Sequence, residues 1–231
     1  MTRSAATGLA STLLARLDAS LRVAADPVRA AGAARYMRDQ FPFFGVATPA
    51  LTRLGRAAQE GLPRPTHADL VAVAQACWAR PEREFQYLAC QYLRRWVAVG
   101  EPGLLVTVRE LIVTKSWWDT VDTLAANTVG PLVSSHPALV ATMDAWLHDE
   151  NLWLIRTAIL HQLTYRQHTD AQRLFAYCTA QAGHRDFFVR KAIGWALRQY
   201  ARTDPDAVRS YLAEHAGQLS PLSVREAGKH L

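Results

Sequence analysis

The chain has 231 residues, with 26 basic against 20 acidic side chains, half of its residues hydrophobic and only three cysteines. A half-apolar chain that is 20% charged is not intrinsically disordered and is long enough to bury a sizeable core. Twelve glycines and 11 prolines exclude collagen-like and low-complexity classes and argue against a loop-rich all-β protein.

Cys77, Cys90 and Cys178 are odd in number and far apart, with no CxxC and no histidine at metal-ligand spacing. Neither a disulfide framework nor a structural zinc site is expected, and a reducing compartment fits. The formal charge is +6, and only Lys115, Lys191 and Lys229 of the basic residues are lysine. A GC-rich genome accounts for much of that arginine excess. Its distribution says more: residues 1–150 hold 15 basic and 14 acidic side chains, whereas 151–231 hold 11 and 6. A basic C-terminal third fits a polyanion partner.

Along the chain, the stretch Met1 to Ala25 is interrupted by Arg16, Asp18 and Arg22, and its Leu9, Leu13, Leu17 and Leu21 have the spacing of an amphipathic helix rather than a signal peptide. No run approaches the length of a membrane span, so a soluble, cytoplasmic protein is expected. Asp26-Pro27, Thr48-Pro49, Thr66, Arg80-Pro81, Glu101-Pro102, His136-Pro137, Thr169-Asp170, Asp204-Pro205 and Ser220-Pro221 each combine a cap with a first-turn signal. Between them the apolar residues follow helical periodicity, and nothing alternates with period two. The fold class is all-α.

Self-comparison reveals a period. Ile155-Arg156-Thr157-Ala158 returns as Val189-Arg190-Lys191-Ala192 and as Val224-Arg225-Glu226-Ala227, and the same step leads back to Asp122 and then Gln86. Helix pairs repeating in this way cannot each bury a core, so they stack. The expectation is a right-handed α-solenoid of HEAT-like hairpins, C-shaped around a concave basic groove. It forms one domain over 1–231, with an N-terminal helical cap at 1–65 and about five hairpins at 66–231. Repeated arginines such as Arg190 and Arg225 read first as bridges between neighbouring repeats. Asp122 puts a carboxylate at that position and is not expected to make the same bridge.

The segment Thr114 to Asp122 holds the densest chemistry. Ser116 reads as the N-cap of the next helix with Asp119 at its third position. Trp118 and Asp122 then share a face, as do Lys191 and Trp195, beside Gly194, two repeats later. A core tryptophan and a solvated carboxylate would explain the first pair without any function. Equivalent helices of a superhelix line one wall, however, and there Trp118, Asp122, Arg156 and Trp195 converge. Aromatic rings, one carboxylate and an arginine in a basic groove point to nucleic acid rather than peptide.

Several stretches resemble the AlkD family of HEAT-like-repeat DNA glycosylases: Ala34 to Arg38, Phe41 to Pro49, Pro81 to Gln86, Lys115 to Asp122, Asn151 to Arg156, Phe187 to Trp195, and Pro221 to His230. The resemblance covers almost the whole chain and is most specific in Ser116 to Asp122 and Lys191 to Trp195. It implies a monofunctional glycosylase that hydrolyses the N-glycosidic bond of N3- or N7-alkylated purines in double-stranded DNA without flipping the base, a departure from the usual extrusion. It matches the catalytic carboxylate to Asp122 and the groove aromatics to Trp118, Trp195 and Tyr36. Arg156 matches the functional arginine, read here as a phosphate contact, with Lys191, Phe187 and Phe188 also placed on DNA. A cationic leaving base needs no general acid, and a carboxylate can stabilise the oxocarbenium-like sugar and orient water. No lysine nucleophile, metal or organic cofactor is implied, and the partner is alkylated duplex DNA, bound by a monomer near the nucleoid. The rival readings are a non-enzymatic HEAT-like scaffold and a DNA-structure binder that lacks chemistry. A scaffold has no reason for Asp122, and silent binders usually lack the carboxylate.

Overall fold

The computed structural model describes residues 8–231, so the first seven residues of the predicted N-terminal helix lie outside the described residues. Every regular element among the described residues is helical. The chain divides into two compact units, one up to Thr107 and one from Val108.

The first unit contains α1 (Gly8–Val23), α2 (Pro27–Tyr36), α3 (Thr48–Ala57), α4 (His67–Trp78) and α5 (Arg83–Trp96), and α6 (Leu104–Val113) runs across the division. Local chemistry sets the starts. Asp26 caps α2 by accepting from the Arg29 amide with Pro27 in the first turn, and Thr66 and Asp69 form a reciprocal capping box on α4. Leu13, Leu17 and Leu21 are buried, as the four-residue spacing predicts, where α1 packs on α3 and α4.

The Phe41–Pro49 stretch is folded around a charge. The Glu84 carboxylate accepts from the amides of Phe44, Gly45 and Val46 at 3.0, 2.8 and 3.2 Å. Gly45, at φ +85°, is required there, because an added Cβ would stand 2.2 Å from the Asp26 carbonyl oxygen. Arg83 is fully buried with its guanidinium 3.8 Å from the centre of the Phe41 ring. The Pro81–Gln86 motif therefore builds the scaffold of this unit.

The second unit holds α7 (Trp118–Leu124), α8 (Gly130–Ser135), α9 (Val140–Trp146), α10 (Leu152–Leu160), α11 (Ala171–Ala180), α12 (Phe187–Tyr200), α13 (Pro205–Glu214) and α14 (Pro221–Ala227). Helices α9 and α10, α11 and α12, and α13 and α14 form successive hairpins. Their second members pack in one layer that begins with α7: α7 on α10, α10 on α12 and α12 on α14. This is the stacking of an α-solenoid. The repeated alanines Ala158, Ala192 and Ala227 are all fully buried.

A π-helical turn, Ala125–Val129, joins α7 to α8. Its irregular carbonyls are not left bare: Thr164 donates to the Ala126 oxygen and Tyr165 to the Gly130 oxygen, at 3.2 and 2.7 Å. The C-terminal end of α10 and its following turn thus hold the helix whose first turns carry the site.

Candidate functional site

A recess of about 350 Å³ in the second unit is lined by Trp118 and Asp122 of α7, Arg156 of α10, and Phe187, Phe188, Lys191, Trp195 and Arg198 of α12. Seven of the eight residues singled out from the sequence meet here. Tyr36, the eighth, belongs to the other unit, where it ends α2 and is 71% exposed.

Asp122 forms a two-point ion pair with Arg156, Nε to Oδ1 at 2.6 Å and Nη2 to Oδ2 at 2.8 Å. The third nitrogen, Nη1, donates to the Phe188 carbonyl oxygen. The expectation that Asp122 breaks the inter-repeat bridging pattern is therefore corrected. Asp122 and Arg156 occupy the same repeat position 34 residues apart and bridge to each other. Arg190, expected to bridge, instead turns its Nε back to the Asp186 carbonyl. The phosphate role expected for Arg156 is corrected too. Only 3% of the residue is exposed, and each of its terminal groups already has a partner inside the protein.

Burial pushes the Asp122 carboxyl above its ordinary value, Asp119 adds repulsion, and the Arg156 guanidinium opposes both. The charged carboxylate is thus sustained mainly by one partner. Its side chain retains 12% exposure, through which it reaches the recess.

The basic wall is organised by Glu226 of α14, which sequence reasoning missed. Its carboxylate meets Lys191, Arg198 and Lys229 at 2.6, 3.0 and 2.7 Å. These partners, Lys191 and Lys229 foremost, pull its pKa down to about 2. Three cations against one anion leave this wall positive. Arg198 was also missed, although it follows Lys191 by seven residues and so shares its helical face. Glu226 stands 35 residues after Lys191, so the repeat period itself could have paired them.

Gly194 permits close approach, but to α14 rather than to a ligand: an added Cβ would lie 2.7 Å from the Ser223 carbonyl oxygen. Phe188, which lines the recess, forms a mutual ring cluster with Trp117 and Trp153, with centroids 4.9 to 5.9 Å apart. Phe188 is therefore held by packing as well as lining the recess, while Phe187 beside it is half-exposed. Ser116, expected to cap α7, donates to the Ile112 carbonyl of the preceding helix instead.

Cys77, Cys90 and Cys178 are buried free thiols, and burial raises the Cys77 pKa to about 12. No group of three or more His, Cys, Asp or Glu among the described residues could hold a metal ion. No described helix is long and apolar enough to cross a membrane.

Fold and site together define a helical-repeat protein with a carboxylate in an aromatic, positively walled recess. The chain belongs to the DNA alkylation repair enzyme family, whose model matches residues 17–231. It is similar to a solved protein of Enterococcus faecalis described as a predicted DNA alkylation repair enzyme. That similarity has a TM-score of 0.82 and 30% identity, over 90% of this chain and 96% of that one. No curated protein matches it.

Proposed function

We propose that the protein is a monofunctional DNA glycosylase that releases cationic N3- or N7-alkylated purines from duplex DNA. The observation that carries this reading is the Asp122 carboxylate, fixed by Arg156 and opening into a recess flanked by Trp118 and Trp195. Alkylation makes the purine a good leaving group, so the barrier lies in the positive charge left on the deoxyribose. A preorganised carboxylate whose own side chain is largely buried stabilises such charge and can hold the attacking water. The faces of Trp118 and Trp195 favour the same cation. Lys191 and Arg198, aligned by Glu226, supply positive charge toward phosphate oxygens. A recess open to solvent suits a base that is not enclosed in a tight pocket.

A buried Asp–Arg pair also serves stacking alone, which favours a DNA-binding repeat protein without chemistry. The two readings separate on a duplex carrying a single 7-methylguanine. The glycosylase reading expects abasic sites to accumulate, with strand breaks only after alkali treatment. Binding without abasic sites contradicts it.

A further inference from the structure

We propose that Tyr165 and Thr164 are positioning residues for Asp122: by holding the π-helical turn that follows α7, they set the rotation of α7 about its own axis and so aim the carboxylate at the recess. This rests on the function proposed above and extends the site to two side chains that do not line it.

The turn is not sustained by its own bonding. The Gly130 amide donates to the Ala125 oxygen, five residues back, and passes over the Ala126 oxygen four residues back. Pro131 has no N–H with which to serve that oxygen instead. Thr12, Thr52, Thr123 and Thr157 each donate a hydroxyl to the carbonyl four residues back, whereas the buried Thr128 hydroxyl makes no hydrogen bond within the protein. A buried hydrogen bond left unmade is costly, so what holds this turn comes from outside it.

The hold comes from one neighbour. Thr164 Oγ1 donates to the passed-over Ala126 oxygen at 3.2 Å, and the Tyr165 hydroxyl donates to the Gly130 oxygen at 2.7 Å. Gly130 lies so close to His161 that an added Cβ would stand 2.2 Å from the His161 carbonyl oxygen. All three contacts come from the turn that ends α10, and α10 also carries Arg156, the two-point partner of Asp122. Helix α7 and its continuation are therefore gripped from α10 at two places.

That grip sets a register. Each residue of an α-helix turns the chain by about 100°, so a turn closed over five residues rather than four swings α7 through roughly that angle relative to α8. Burial of Leu132 and Val133 fixes α8. A return to α-helical bonding would therefore turn Trp118 and Asp122 away from the recess they line.

Tyr165→Phe and Thr164→Val each remove one hydroxyl and little else. In either variant, single-turnover release of 7-methylguanine at saturating protein should slow by about ten- to a hundredfold, with duplex affinity kept within about twofold of the wild type. Thr164→Ser, which keeps the hydroxyl, should recover the wild-type rate. Tyr211→Phe removes a comparable hydroxyl, bonded to Thr179, and should leave release unchanged. A second readout needs no base release. The Arg156 Nε proton, shielded by its bond to Asp122, should exchange with solvent at least about tenfold faster in both variants by NMR, while the amides of α12 keep wild-type protection. Wild-type release by a folded variant overturns the proposal, as does unchanged Arg156 exchange. Equal acceleration in α12 overturns it too, because the hydroxyls would then only stabilise the fold. Thr164→Val decides the matter if Tyr165→Phe does not fold. A wild type that releases no base sinks the glycosylase reading, and faster Arg156 exchange in the variants would still leave the hold on Asp122 standing.

Discussion

Asp122 and Arg156 hold the same position in consecutive repeats and are joined by two hydrogen bonds of 2.6 and 2.8 Å, so the unit that stacks the repeats is also the unit that presents the carboxylate. On the proposed function, Arg156 is accordingly a positioning residue. It fixes the orientation of Asp122 and favours its charged form against burial.

Its removal should therefore change the pH profile rather than the salt dependence. Asp122 already titrates above its ordinary range because it is buried. On the proposed mechanism, base release needs the ionised form and so rises with pH through that pKa. In Arg156→Gln the opposing guanidinium is gone, and the acid limb of single-turnover release should move to higher pH. Rates measured between about pH 4 and 8 check this. An unmoved limb with a shallower salt slope would restore the phosphate role instead.

The double variant D122N/R156Q separates structure from chemistry. Removing one member of a buried pair strands the other and costs about 3–5 kcal/mol. Asn with Gln leaves no charge stranded, so thermal denaturation should show the double variant recovering stability relative to Asp122→Asn alone. Base release should not recover. If it does, the carboxylate has only a stacking role.

Glu226 makes the last hairpin sensitive to acid. Its folded pKa, about 2, lies below the ordinary 4.5, so its stabilisation is complete above the ordinary value and is lost as pH falls toward the folded one. Between those two values the melting temperature of the wild type should fall more steeply than that of Glu226→Gln. Parallel curves would show that the three cations around Glu226 do not stabilise the fold.

Gly194→Ala should loosen α12 from α14. The new Cβ would stand 2.5 Å from the Glu226 Cβ and 2.7 Å from the Ser223 carbonyl oxygen, neither of which can move alone. Overpacking of this kind costs about 1–3 kcal/mol. A drop of several degrees in melting temperature is expected at roughly 2–4 °C per kcal/mol for this chain length. An unchanged melting temperature contradicts the close approach.

The helices were legible because their caps are local: Asp26, Thr66, Asp170, Asp204 and Ser220 all accept from the first turn they precede. Ser116 misled because capping propensity does not say which of two adjoining helices a hydroxyl serves. The period of the repeat placed Trp118, Asp122, Arg156 and Trp195 on one wall, and they do share a recess. What periodicity did not reveal was the pairing across it. Opposite charges one repeat apart, Asp122 with Arg156 and Lys191 with Glu226, are contacts between helices. A reading along single helices therefore saw an exception at Asp122 and no partner at Glu226. The π turn after α7 has no sequence signature of its own and depends on Thr164 and Tyr165 from the next repeat.

The most direct measurement is single-turnover release of 7-methylguanine from duplex DNA by Asp122→Asn, at protein concentrations that saturate binding. Loss of roughly 100- to 1,000-fold in rate, with duplex affinity kept within a few-fold of the wild type, is the predicted result. Wild-type release by that variant would contradict the account.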